Sequence, residues 1–246
     1  MRAAQHTRAG ARGTRPMAFT YEHPRPALAV DCVVFGLGER TLELLLVERD
    51  LEPFAGRWAL PGGFVRVDES IDAAARRELL EEAGVSPDVL EQLRAFGDVG
   101  RDPRERVVSI AHWALVRGER HRPRAATDAR AARWFPLDAR PPLAFDHDAI
   151  VAAAVERLRV EVRWRPVGFD LLPEVFSLTE LQRLYEMVLG RPLDKRNFRK
   201  KVLAMELLED TGRLDEGVRH RPPRLYRFDR AAYERLSREG FAFRLE

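Results

Sequence analysis

Along this chain, short aliphatic runs give way twice to stretches in which apolar residues recur every three or four positions. "ALAVDCVVFG" and "LELLLVER", separated by "LGERT", predict a strand pair. "FGDVGRDPRERVVSIAHWALV" predicts a turn-rich loop followed by a strand, and "ARWFPL" a short strand ended by Pro136. Between them "LPGGFVRVDES" enters a helix, with Asp68 or Ser70 as cap and Glu69 and Asp72 in the favourable first turn. Gly84 stops that helix, since a glycine adopts the left-handed conformation a helix end requires. Ile150, Ala154 and Leu158 in "FDHDAIVAAAVERLRVEV" mark a second helix, with His147 expected to cap or solvate its start. These elements predict an α/β (α+β) sandwich over residues 25–163.

From Pro166 the pattern changes. "RPVGFDLLPEVF" is a proline- and glycine-punctuated linker with apolar anchors, assigned to 164–175, and a second domain follows over 176–246. "FSLTELQRLYEMVLG" begins with a capping box, Ser177 and Glu180, and carries Leu178, Leu181, Tyr185 and Val188 along one face to Gly190. After a short turn, Asp194 caps "KRNFRKKVLAMELL", where Phe198, Val202 and Met205 form the buried stripe. Lys195, Arg196, Asn197, Arg199, Lys200 and Lys201 cover the remaining surface without an acid among them. Two helices across a short turn, the second basic, form a helix-turn-helix arrangement. Two strands around a turn bearing Arg219, His220, Arg221 and Arg224 would be its wing. A basic helical hairpin docked on the first domain is the alternative.

Composition narrows the class. Across 246 residues no apolar run approaches a membrane span. Cys32 is the only cysteine, which excludes an intramolecular disulfide or a cysteine zinc site and suits a reducing cytoplasm. The net charge of +3 comes from the N-terminal tail: residues 1–24 carry +3, 25–165 carry −2 and 166–246 carry +2. A nucleic-acid argument therefore rests on local clustering in the second domain and not on the overall charge. The tail has no hydrophobic segment of a secretory signal; it reads as disordered, or as an upstream start ahead of Met17.

The segment "RRELLEEAGV" poses a sharper question. At about 100° per residue, Glu78, Glu81 and Glu82 share one arc with Ile71, Ala74 and Ala75, the face the helix should bury. Carboxylates at these spacings repel one another and face the negative end of the helix dipole. A bound cation reverses both effects. Three carboxylates without histidine or cysteine are hard oxygen ligands and suit Mg²⁺ or Mn²⁺.

Gly63, then Glu69, then "RELLEEAGV" from Arg77 to Val85 resembles the Nudix box at every defining position. The resemblance implies the Nudix fold, a mixed sheet between helices. It also implies Mg²⁺ binding by Glu78, Glu81 and Glu82, with the Gly63 carbonyl able to join the shell. Arg77 and Glu69 match the family's structural ion pair, and Glu82 or Glu81 is the candidate general base. By similarity to Nudix proteins that handle ADP-ribose, Arg57 and the loop "GRDPRER", with Arg101 and Arg104, are candidate ligand contacts. A solvated, turn-forming loop is the alternative.

The second domain resembles the winged helix of Nudix-related transcriptional regulators of NAD metabolism and of sister regulators of sugar catabolism. What this implies is a ligand-responsive regulator whose Nudix domain binds, and cleaves, ADP-ribose or a related nucleoside diphosphate derivative. Lys195, Arg196, Asn197, Arg199, Lys200, Lys201 and Arg221 would contact double-stranded operator DNA, with base reading by Arg196, Asn197 or Lys200. A homodimer on a palindromic site is expected, because one small winged helix offers few contacts. Two other functions stay open: a catalytically silent ADP-ribose sensor, and a plain ADP-ribose pyrophosphatase.

Overall fold

The computed structural model describes residues 22–38, 41–117, 129–215 and 222–244. Most of the basic tail, and the wing cations Arg219, His220 and Arg221, lie outside these residues.

The first domain is built on β1 (Ala27–Leu37), which pairs in parallel with β6 (Val107–Leu115) and antiparallel with β2 (Leu42–Arg49) and β4 (Gly62–Phe64). Beyond β6 lies β5 (Glu91–Phe96), while β3 (Trp58–Ala59) and β7 (Ala129–Pro136) pair with β2. The sheet is therefore mixed. From Val30 to Phe35 β1 is buried, because helices cover both faces. Val30, Cys32 and Val34 pack with Ala74, Ala75 and Leu79 of α1 (Ile71–Ala83). Val33 and Phe35 pack with Ile150, Ala154 and Leu158 of α2 (His147–Trp164). Asp31 has the parity of this second set, so an acid lies on the α2 face of the sheet.

Both ends of α1 follow local chemistry. Ser70, and not Asp68, is the cap: its side chain accepts from the Ala73 N–H at 3.2 Å. Gly84 closes the helix at φ 66°.

The stretch 164–175 is packed. Residues Pro166–Asp170 form a 3₁₀ turn, and Phe169, Leu171 and Leu172 are buried in the core that also holds Leu158 of α2 and Leu184. In the second domain, α3 (Leu178–Leu189) carries the expected capping box and α4 (Lys195–Ala204) is capped by Asp194. A three-stranded sheet, ordered β8 (Phe176–Ser177), β10 (Arg224–Phe228), β9 (Leu208–Leu214), completes a winged helix, and α5 (Arg230–Arg238) follows. Met205 is the cap residue after α4 and is half-buried, packed against the core that holds Phe198 and Val202, so the stripe runs one residue past the helix. Among the described residues no helix is long and apolar enough to cross a membrane.

Candidate functional site

The last turns of α1 place the glutamates against the glycines of β4. Glu78 is buried, Glu82 half-buried, and the Glu81 side chain stands at the rim, 41% exposed. A side-chain carbon on Gly63 would overlap the Glu78 carboxylate, and one on Gly62 the Val30 carbonyl oxygen. Glycine is required here for close approach of backbone and carboxylate. The Gly62 N–H donates to Glu82 Oε2 at 2.9 Å.

Arg77 organises this end of the helix. Its Nε and Nη2 donate to both oxygens of Glu69, at 2.9 and 2.6 Å, and Nη1 donates to Glu78 at 2.6 Å and to Glu81 at 3.1 Å. The fork of bonds from Arg77 holds the Glu69 carboxyl down at about 2. Glu82 moves the opposite way. Burial, with the Glu78 charge added, outweighs the Gly62 hydrogen bond and pushes its carboxyl up to about 8. Burial raises Glu78 as well.

Among the described residues no three acid, histidine or cysteine side chains are gathered tightly enough to hold a metal ion. Arg77 takes Glu78 and Glu81, and Gly62 takes Glu82. The donor set nevertheless fits a hard divalent cation. Two desolvated carboxylates of raised pKa beside an open glycine backbone are what such a charge would stabilise.

Beside the box lies a depression lined by Asp31, Arg49, Gly62, Gly63, Phe64, Arg101, Asp102, Arg104, Phe145 and His147, among others. The sequence-predicted arginines divide here. Arg104 is 41% exposed, paired with Asp102 at 2.7 Å and placed over the rings of Phe64 and Phe145. Arg57 is exposed and sits over Phe54, whose ring packs edge-on against Phe145 of the depression at 4.8 Å. Arg101, expected as a ligand contact, has a side chain only 4% exposed and committed to Asp146, at 2.6 and 2.9 Å, and to Asp31 at 3.2 Å. Two carboxylates claim its guanidinium, so it braces the site.

His147 also departs from expectation, being neither solvated nor a cap. It is 4% exposed, and its Nδ1 accepts from the Leu60 N–H at 2.9 Å. Nε2 must then carry the proton, and it faces Asp31 at 3.1 Å. Ser109 Oγ donates to the same carboxylate at 2.5 Å. Burial opposes ionisation of Asp31, yet His147, Ser109 and Arg101 together hold its carboxyl at about 2. Asp31, Arg49 and Phe145 carry no local signal that would have marked them. Arg49, whose guanidinium sits 4.7 Å from the Phe145 ring, only reads as part of β2.

On the second domain, Lys195, Arg196, Asn197 and Lys200 are exposed on α4, and Lys201 is half-buried. Arg199 does not stand with the exposed group: its Nη2 donates to Thr179 Oγ1 at 3.0 Å, which ties α4 to α3.

Residues 25–180 match the family profile of the NUDIX domain. The chain belongs to the Nudix family. Residues 168–228 match the NrtR DNA-binding winged helix domain. The chain is 34% identical to the ADPR responsive transcriptional repressor NtrR of Acinetobacter baylyi, over 87% of its own length and 86% of that protein. The crystal structure of Shewanella oneidensis NrtR complexed with a 27mer DNA superposes with TM-score 0.73 at 34% identity, covering 89% of this chain and 99% of that one. The NUDIX domain of the same Shewanella protein, complexed with ADP ribose, matches 55% of this chain and 90% of that domain at TM-score 0.52 and 35% identity. The Nudix fold and the winged helix expected from the residues are thus both present.

Proposed function

We propose that this protein is an ADP-ribose-responsive DNA-binding regulator whose Nudix domain also hydrolyses its ligand. The observation that carries this is a complete Nudix box, with Glu82 desolvated beside a depression, in one chain with an exposed cationic helix. Similarity over most of its length to a repressor described as ADPR responsive supports the ligand and the DNA role together.

Glu78, Glu81, Glu82 and the Gly63 carbonyl would hold Mg²⁺ or Mn²⁺, which when bound neutralises diphosphate charge and makes a water more acidic. Arg77, locked to Glu69 by two bonds, sets the angle of the glutamate-bearing turn. Arg49 and Arg104, both placed over the Phe145 ring, present guanidinium groups to phosphate oxygens from the wall of the depression. Glu82, or Glu81 at the rim, would take the proton of the attacking water. Mixing the purified protein with Mg²⁺ and ADP-ribose, and following release of AMP and ribose phosphate, tests the enzyme. No turnover, with binding retained, leaves the silent sensor.

On DNA, the exposed cations of α4 displace counterions from phosphates, and Arg196 and Asn197 have the forked groups that read guanine and adenine. Arg196→Ala combined with Lys200→Ala is expected to weaken binding to the DNA upstream of its own gene by about 10- to 100-fold and to flatten the salt dependence. Anisotropy titrations across a salt series measure both. Unchanged affinity and slope would remove α4 from the interface. A homodimer on a palindromic site is part of the proposal, and sedimentation with and without DNA checks it.

A further inference from the structure

The ligand depression and the winged helix share one continuous element. At its start, α2 is clamped from three directions. Asp146 accepts two bonds from Arg101 of the loop before β6, His147 accepts from Leu60 just ahead of the glycine pair, and His147 also faces Asp31 of β1. Asp31, Arg101, Phe145 and His147 all line the depression. A ligand seated there touches the base of α2.

The other end of α2 belongs to the second domain as much as to the first. Leu158 and Val162 lie in one core with Leu181, Leu184 and Tyr185 of α3. Arg159 Nε donates to the Val188 carbonyl at 3.3 Å. The helix then turns directly into Pro166–Asp170, where Phe169 stacks on Phe228 of β10 with ring centroids 4.3 Å apart. Arg165, which caps α2, is bonded to Glu91 and Glu161. Its 18 residues span about 27 Å as a regular helix without proline or glycine.

One side of this junction is not close-packed. A crevice of about 500 Å³ lies between the β5–β6 end of the sheet, the 3₁₀ turn and α5, with Arg165, Val167, Arg230 and Tyr233 among its walls. Close-packed interfaces resist displacement, whereas an open crevice leaves the winged helix room to tilt.

We infer that α2 is the coupling element of this regulator: ligand contact with the Asp31–Arg101–His147 clamp displaces the helix as a rigid rod, and its far end reorients α3 and with it α4. This rests on the proposed ADP-ribose function and says how that site would be heard by DNA. A ligand shifts DNA affinity only if it favours one position of such a two-state element over the other.

The test softens the middle of the rod and, in a separate variant, cuts its far contact with α3. Ala152 and Glu156 are exposed on the middle turns of α2. Ala152→Gly with Glu156→Gly loosens the helix, Arg159→Met cuts its bond to α3, and Glu156→Ala is the control that keeps helix propensity. ADP-ribose binding is measured by calorimetry with the non-cleavable methylene analogue, and DNA binding by anisotropy with and without it. In the unmodified chain the analogue is expected to change DNA affinity by roughly 5- to 150-fold. The double glycine variant and Arg159→Met should keep each separate affinity within about threefold while that linkage falls to near one, and Glu156→Ala should retain it. Linkage unchanged in both softened variants overturns the inference. So does loss of either separate affinity, which would make α2 part of that site and not a coupler. Failure of the functional reading is distinct, because it shows in the unmodified chain as no analogue binding or no effect on DNA.

Discussion

Glu82→Gln is expected to lower Mg²⁺-dependent hydrolysis of ADP-ribose by on the order of 10²- to 10⁴-fold while leaving the DNA affinity of the ligand-free protein unchanged. The amide keeps an oxygen for the Gly62 N–H, so the local backbone stays in place. What disappears is a negative ligand and a proton acceptor. A steady-state assay beside an anisotropy titration separates the two effects. Hydrolysis at the unmodified rate would take Glu82 out of the chemistry.

The same substitution has a pH signature. The folded Glu82 carboxyl is pushed from 4.5 up to about 8 by burial, so the folded state holds its proton more tightly than the unfolded chain does. Its neutral form costs nothing below pH 4.5. As pH rises from there to 8, stability falls by a few kcal/mol, and above 8 the loss is complete. Urea titrations of the metal-free protein should show this decline between pH 5 and 8.5. Glu82→Gln should lack it, and Mg²⁺ should offset it in the unmodified chain.

Asp31→Ala should be the most damaging single change to stability, about 3–5 kcal/mol, because it strips a buried carboxylate from three partners at once. Arg101, with a side chain 4% exposed, would keep only Asp146; Ser109 and His147, both buried, would lose their acceptor. A fall in melting temperature of about 10 °C is expected for a protein of this size. Asp31→Asn, which can still accept hydrogen bonds, should cost less. The Asp31 carboxyl is held at about 2 against an ordinary 3.8, so its ionisation contributes about 2 kcal/mol that is fully present above pH 3.8 and lost as pH falls through 2. In the alanine variant that acid-side loss should vanish. Equal stability of Asp31→Ala and the unmodified chain would mean that the network does not brace the fold.

Much of the framework was legible because it is written in local rules. The capping box of α3, the Asp194 cap of α4 and the glycine stops at Gly84 and Gly190 depend on residues within a few positions of one another. The box glutamates were legible for the same reason, since helical spacing alone put them on one face with Ala74 and Ala75. Strand β5 is not legible because "EQLRAF" mixes three polar with three apolar residues, only Phe96 of them buried, so it has no apolar run to detect. Helix α5 is equally hard to read, since among its described residues only Ala232 is buried.

The arginines mark where sequence stopped. Arg101 and Arg104 sit three positions apart in one loop and look equivalent as residues, yet the side chain of one is 4% exposed, locked between Asp31 and Asp146, and that of the other is 41% exposed. His147 shows the same limit, for its partners Asp31 and Leu60 lie 116 and 87 positions away. By itself the sequence determined helices α1 to α4, the spacing of the box and the cationic face of α4, all set by contacts between near neighbours. Only the tertiary structure decided which charges are locked in buried ion pairs and which stay open to solvent, because that depends on which distant carboxylate the folded sheet brings against each guanidinium, and how much water it leaves there.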